Sequence, residues 1–206
     1  MDLIEQSWQW LFKPSEESIK QIEKIGRTCY KSEGKITPGS ADRFVKMILK
    51  NGHESVIEHC VATVKFITNR GVTHELVRHR LASFSQESTR YVKLGGKRKD
   101  IQFIKPVWFD NKYSLPSMIQ FRSSCYESEA TYNQLIEYGW TPEQAREVLP
   151  NALKTEIVVT ANLREWRHIF KLRTSKKAHP QIRALMQSCC DGFKTTVPII
   201  FDDITY

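Results

Sequence analysis

No C-x-x-C pair occurs in this chain. Its five cysteines, Cys29, Cys60, Cys125, Cys189 and Cys190, are odd in number and irregularly spaced. That argues against a disulfide framework and for a reducing compartment. No stretch approaches the ~20 apolar residues needed to cross a bilayer. The opening MDLIEQSWQWLFKPSEES carries acids where a secretory leader has a basic start and an apolar run. A cytoplasmic, soluble protein with no membrane partner is expected. The nine glycines form neither G-x-G-x-x-G nor G-x-x-x-x-G-K-[ST], so no glycine-rich phosphate cradle of those kinds is encoded. Gly95-Gly96-Lys97-Arg98-Lys99 has the charge without the framework and reads as a solvated turn. A zinc-binding H-E-x-x-H is also missing. In HELVRH, His74 and His79 are five apart, which places them about 140° apart around a helix. His53 and His59 are six apart, so no metal is expected.

What the chain does have is positive charge, 31 − 23 = +8, with 40% apolar and 11% aromatic residues. A substantial core is feasible, and an anionic partner is favoured: nucleotide, phosphorylated cofactor or nucleic acid. One domain over 1–206 is expected, with no internal repeat. Ser15 starts a helix over SEESIKQIEKIGRTCY with Glu16 and Glu17 in its first turn. Its third position is Ser18, so a full capping box is not expected. ADRFVKMILKNG, a run from about Ser114 to Tyr138, TPEQAREVLP, LREWRHIFKLRT and PQIRALMQSCCDGFKTT also read as helices. GVTHELVRHRLAS predicts a helix after Gly71, running to about residue 82. Cys60–Asn69 and KTEIVVTAN alternate in the manner of strands, and IQFI reads as a short one. Phe84–Lys93 is ambiguous. The mixture predicts an α+β fold, its mixed or antiparallel sheet flanked by helices.

Two stretches concentrate planar cations and hydroxyls, the groups that hold phosphates and flat polar rings. The first is RHRLASFSQESTRY, residues 78–91. If it is helical, Arg78, His79 and Arg80 fan out ~100° apart, so a single small ligand cannot meet all three. Either a helix ends there, or more than one ligand or chain converges on it. The second is ANLREWRHIFKLRTS, residues 161–175, where Asn162, Arg164, Arg167, His168 and Arg173 alternate with apolar anchors. Ser88 is ringed by cations but has no evident activating base, and nothing near Cys29 or Cys60 suggests a reactive thiolate.

Arg78-His79-Arg80, then Ser88, then Arg90-Tyr91 resembles the signature of the flavin-dependent thymidylate synthases. GHESVIEH at 52–59, AREVLP at 145–150, NLREWRHIFKLR at 162–173 and AHPQIR at 178–183 resemble the same family in order and spacing. The resemblance covers nearly the whole chain. It implies conversion of deoxyuridylate (dUMP) to deoxythymidylate (dTMP), with methylenetetrahydrofolate as carbon donor, NADPH as reductant and FAD as mediator, in a homotetramer whose active sites are shared between chains. By the same resemblance His53, Ser55, Arg78, His79, Arg80, Glu87, Asn162, Arg164 and His168 contact FAD. Glu75, Leu76, Val77, Arg78, Gln86, Glu87, Ser88, Thr89, Arg90, Arg146 and Arg173 contact dUMP, and Arg173 is the catalytic charge stabiliser. The chain departs from the family pattern in three places. Ser85-Gln86-Glu87-Ser88 stands where many members read N-E-Q-S, Glu75 where Gln is common, and His168 where some carry Asn. The rival reading, a basic nucleic-acid-binding protein, predicts salt-sensitive polynucleotide binding and no chromophore.

Overall fold

The computed structural model describes residues 1–95, 100–109 and 115–206. The Lys97-Arg98-Lys99 turn and Ser114 lie outside the described residues. The strands are β1 (Asp2–Ile4), β2 (Ser7–Phe12), β3 (Val61–Asn69), β4 (Ser83–Gln86), β5 (Gln102–Ile104) and β6 (Lys154–Asn162). The helices are α1 (Glu16–Cys29), α2 (Ser40–Lys50), α3 (Arg70–Leu76), α4 (Leu115–Glu137), α5 (Pro142–Ala145), α6 (Leu163–Arg173), α7 (Pro180–Thr196) and α8 (Pro198–Phe201). One antiparallel sheet has the order β2-β3-β6-β4 and is flanked by helices. Separately, β1 pairs in parallel with β5, Leu3 opposite Phe103. The α+β expectation holds. Among the described residues no helix is long and apolar enough to cross a membrane.

Contacts gather the chain into two units. The first comprises residues 1–7, 66–78 and 85–158. Its core joins Phe103, Cys125, Tyr132, Ala145 and Leu153. Within it, Glu129 on α4 is buried and accepts the Ile101 N–H at 2.7 Å. Its other oxygen lies 2.9 Å from the Met1 ammonium, so both oxygens of this buried carboxylate are matched. The second unit comprises residues 8–65, 79–84 and 159–206. Trp166, Phe170, Phe193 and Phe201 form its aromatic centre, with ring centroids 4.9–5.8 Å apart. Trp166 is completely buried, and its indole N–H donates to the Ala62 carbonyl, as a buried tryptophan requires. Two helical glycines mark close approaches in this unit. A Cβ on Gly192 would stand 2.3 Å from the Trp8 ring, and one on Gly26 2.5 Å from the Phe44 ring.

Strands β3 and β6 are continuous through the boundary, with residues 61–65 and 159–162 in the second unit. Both alternate buried and half-buried side chains after an exposed Val61 at the start of β3, the pattern read from their sequences.

Several expectations need correction. Helix α3 ends at Leu76, not near residue 82, so the Arg-His-Arg triplet lies in the turn beyond it. Leaving the helix lets His79 go inward, 5% exposed, while Arg78 and Arg80 stay at the surface. Ser18 does serve as the returning arm of a cap, its Oγ accepting the Ser15 N–H at 3.1 Å. A hydroxyl there performs what Glu or Gln performs in the usual motif. The apolar alternation of the first twelve residues makes β1 and β2, which the sequence reading passed over. The ambiguous run after Phe84 begins as strand β4. The HESVIEH stretch is a short 3-10 turn over Glu54–His59.

Candidate active site

Each long strand hands its chain to a helix through an asparagine. Asn69 Oδ1 accepts the Val72 N–H at 2.8 Å, and Asn162 Oδ1 accepts the Glu165 N–H at 2.8 Å. Each side chain satisfies a first-turn donor that the helix cannot. Helix α6 therefore begins one residue after β6, and its start fixes where Arg164, His168 and Arg173 emerge.

In the second unit, the two cation-rich stretches meet. Arg173 Nε donates to His79 Nε2 at 3.0 Å across 94 residues of sequence. His79 Nδ1 faces Glu165 Oε1 at 3.4 Å. The His168 ring stands edge-on to His79, centroids 5.7 Å apart. Burial, then the charges of Arg173 and His168, push the His79 pKa down to about 4. It is a neutral imidazole near pH 7. Burial raises the Glu165 carboxyl, and His168 partly offsets this.

Asn162, Arg164, Glu165, Arg167, His168 and Lys171 line a cavity of about 540 Å³ with Glu54, Glu58 and Leu81. Arg164 ion-pairs there with Glu58 at 2.5 Å and lies 3.8 Å from Glu54. The Glu58 hydrogen bond holds its guanidinium above its ordinary pKa. Arg167 is buried and forks onto Asp203, Nη1 to Oδ1 at 2.6 Å and Nη2 to Oδ2 at 2.7 Å. Its Nε is 3.3 Å from Glu54 Oε1 without an aligned hydrogen bond. His53 is exposed and pairs through Nδ1 with the Tyr30 hydroxyl at 2.9 Å. Ser55 and Arg80 are exposed.

Among the described residues His79, Glu165 and His168 place donor atoms within 4.8 Å of one another. The chemistry does not suit a cation. Arg173 already donates to His79 Nε2, so coordination through Nδ1 would leave no nitrogen for the ring's own proton.

The first unit holds the other residues. Gln86 Nε2 donates to Thr73 Oγ1 at 3.0 Å and Thr155 Oγ1 at 3.3 Å, which anchors β4. Glu87 pairs with Lys154 at 3.2 Å, and Lys154 also reaches Glu156 at 2.7 Å. Burial works against the Lys154 charge, but these two carboxylates hold its pKa above the ordinary value. Arg146 Nη1 donates to the buried Thr89 hydroxyl at 3.1 Å. Ser88 Oγ accepts the Arg90 N–H at 3.3 Å, and Arg90 reaches Glu143 at 3.3 Å across exposed surface. Glu75 is half-buried, while Val77 and Arg78 are exposed just past the end of α3. The Leu76 side chain belongs to the core at 1% exposure, so its main chain is what it can offer a ligand.

The sequence reading missed two residues. One is Glu165, in the first turn of α6. The other is Arg70, the first residue of α3. It is held below its ordinary pKa by burial and then by the Arg146 charge, with Glu87 opposing. Neither carried a local signal, because their neighbours are distant in sequence.

The model of the Thy1 family, thymidylate synthase complementing protein, matches residues 11–199. The chain belongs to this family. Its curated relatives include flavin-dependent thymidylate synthases. That of Mycobacterium avium is 37% identical over 202 residues, and that of Corynebacterium efficiens 34% over 197. Each alignment covers 88% of this chain and 78% of the relative. A crystal structure of the UMP/dUMP methylase PolB from Streptomyces cacaoi, bound with 5-Br dUMP, superposes with a TM-score of 0.82. The match covers 98% of this chain and 96% of that one at 22% identity, a likeness of fold.

Proposed function

We propose that the chain is a flavin-dependent thymidylate synthase that methylates dUMP to dTMP, taking its carbon from methylenetetrahydrofolate and its reducing equivalents from NADPH. The observation that carries this reading is the Arg173–His79 hydrogen bond, which joins the two motif-bearing stretches. The donor set suits FAD. The cavity of the second unit presents Asn162, Arg164 and Lys171, with the buried Arg167 Nε lacking an aligned acceptor, and such donors match a pyrophosphate. His53, Ser55, Arg78, His79, Arg80, Glu87 and His168 complete the proposed cofactor set. Bound FAD would supply the two-electron chemistry that links NADPH to the pyrimidine.

The protein's own part is placement and charge. Ser88, Thr89, Arg90 and Arg146 hold the substrate phosphate through hydroxyls and guanidinium groups. Glu75, Leu76, Val77, Arg78, Gln86 and Glu87 border the nucleoside. Arg173 stabilises negative charge developing on the pyrimidine N3 and its neighbouring carbonyl, with His79 as a neutral acceptor behind it. Glu58 holds Arg164 in the cavity, so cofactor entry exchanges that ion pair for a phosphate contact. We read residues 1–206 as one catalytic domain acting in the cytoplasm as a homotetramer. Leu81 and Tyr91, 77% and 81% exposed beside the motif, support a site shared between chains. Nothing in the relatives favours the nucleic-acid-binding alternative.

The test is dTMP formation by FAD-loaded protein, with anaerobic bleaching of the flavin by NADPH followed with and without dUMP. Arg173→Ala should lower turnover by about 10²–10³, the cost of one charge-stabilising donor, while FAD is retained. Wild-type-like turnover in that variant would contradict the assigned role.

A further inference from the structure

Glu165 is the third member of a short line of contacts. Arg173 Nε meets His79 Nε2 at 3.0 Å, and His79 Nδ1 meets Glu165 Oε1 at 3.4 Å. His79 and Glu165 are 5% and 6% exposed. Both Arg173 and Glu165 sit on α6, at its last residue and in its first turn. His79, from the turn after α3, bridges them.

The tautomer follows from the inventory of donors. An arginine has only donors, so the nitrogen that receives Arg173 must carry a lone pair. A neutral imidazole then has its proton on Nδ1. The carboxylate facing Nδ1 is Glu165. Were the proton on Nε2, an N–H would point at the Arg173 N–H and the guanidinium would be pushed away.

We propose that Glu165 is a positioning residue for Arg173: acting through His79, it selects the Nδ1–H tautomer and so fixes the edge by which the guanidinium is held. This rests on the reading of Arg173 as the group that stabilises charge on the pyrimidine. The buried, neutral state of the ring supports it, since a doubly protonated ring would repel Arg173. The charged and titratable groups facing the ring are Arg173, His168 and Glu165. Glu165 also borders the cavity of the second unit, and its effect on Arg173 is transmitted through His79.

The experiment compares FAD-loaded wild type, Glu165→Ala and Glu165→Gln. Glutamine keeps an acceptor oxygen but removes the charge, so the pair separates tautomer selection from any effect of charge at the helix start. Two readouts are taken: the tautomer of His79 by ¹⁵N-histidine NMR, assigned with His79→Gln, and steady-state kinetics with dUMP varied. Wild type should show Nδ1–H. Glu165→Ala should shift towards Nε2–H and lose about ten- to a hundred-fold in kcat, the range of lost orienting partners elsewhere, with FAD content unchanged. Glu165→Gln should restore Nδ1–H and recover most of the loss. An Nε2–H tautomer in wild type overturns the proposal, and so does Glu165→Ala with wild-type tautomer and kcat. Equal losses in both variants overturn it too, because charge would then be the cause. Should Glu165→Ala fail to fold, the wild-type tautomer and Glu165→Gln still give the answer. If wild type makes no dTMP, the functional reading fails, while the tautomer result stands on its own.

Discussion

Strand β3 with helix α3, and strand β6 with helix α6, follow the same local plan. Each has nine strand residues with alternating burial, a closing asparagine that accepts an N–H three residues on at 2.8 Å, and a helix from the next residue. The first helix stops after seven residues and the second runs for eleven. Cap and strand are alike, so neither sets the length. What differs is burial. Helix α6 buries Leu163, Trp166, Ile169 and Phe170 along one side. Helix α3 buries Val72, Thr73 and Leu76 and then leaves the helical path. A short helix survives by tertiary packing rather than by its own propensity. Where the packing ends, the chain is free to turn, and the Arg-His-Arg triplet occupies that turn. No repeat is visible at the level of residue identity, because the shared features are a period of two and one asparagine.

The largest test of this comparison is Trp166→Ala. If packing sets the length of α6, the variant should lose about 3–5 kcal/mol, read from denaturant midpoints with the slope checked. A loss below about 1 kcal/mol would break the argument. A smaller effect is expected with pH. The folded His79 pKa, near 4, lies below the ordinary 6.5. Between those values the unfolded chain binds more protons, so stability falls as pH drops through that window. The wild-type melting temperature should therefore decline more from pH 6.5 to 4 than that of His79→Gln. Equal declines would show that His79 is not held neutral. The smallest effect sharpens the likeness itself. Asn69→Ala and Asn162→Ala should each cost about 1 kcal/mol, within the 0.5–2 range of lost caps. A near-zero loss at one position, by thermal melts, would show that the two asparagines are not equivalent.

Much of the fold was legible in the sequence because it depends on local chemistry. The residues 154–162 and 180–196 were read with the bounds the structure gives them, since alternation, a proline at a helix start and a run of apolar spacing act within one element. Strands β1 and β2 were passed over because their alternation is short and interrupted by the acids Asp2 and Glu5. The first helix cap was misjudged because a serine took a position normally held by a longer side chain. The motif residues were legible as a set, and they carried the family, because membership is a matter of residue types in order.

Their arrangement was a different matter. The local code allows Val77 to Arg80 to continue as helix. It is the burial of His79 against Arg173 and Glu165, 94 residues away in the first case, that takes them out of it. The same contacts make the imidazole neutral, fix which nitrogen accepts, and give Glu165 a partner that no stretch of sequence around it announces. Periodicity, caps and motifs are short-range and can be read along the chain. Burial, protonation and the pairing of Arg173 with His79 are free-energy differences set by groups that meet only after the chain has folded, and the tertiary structure alone decided them.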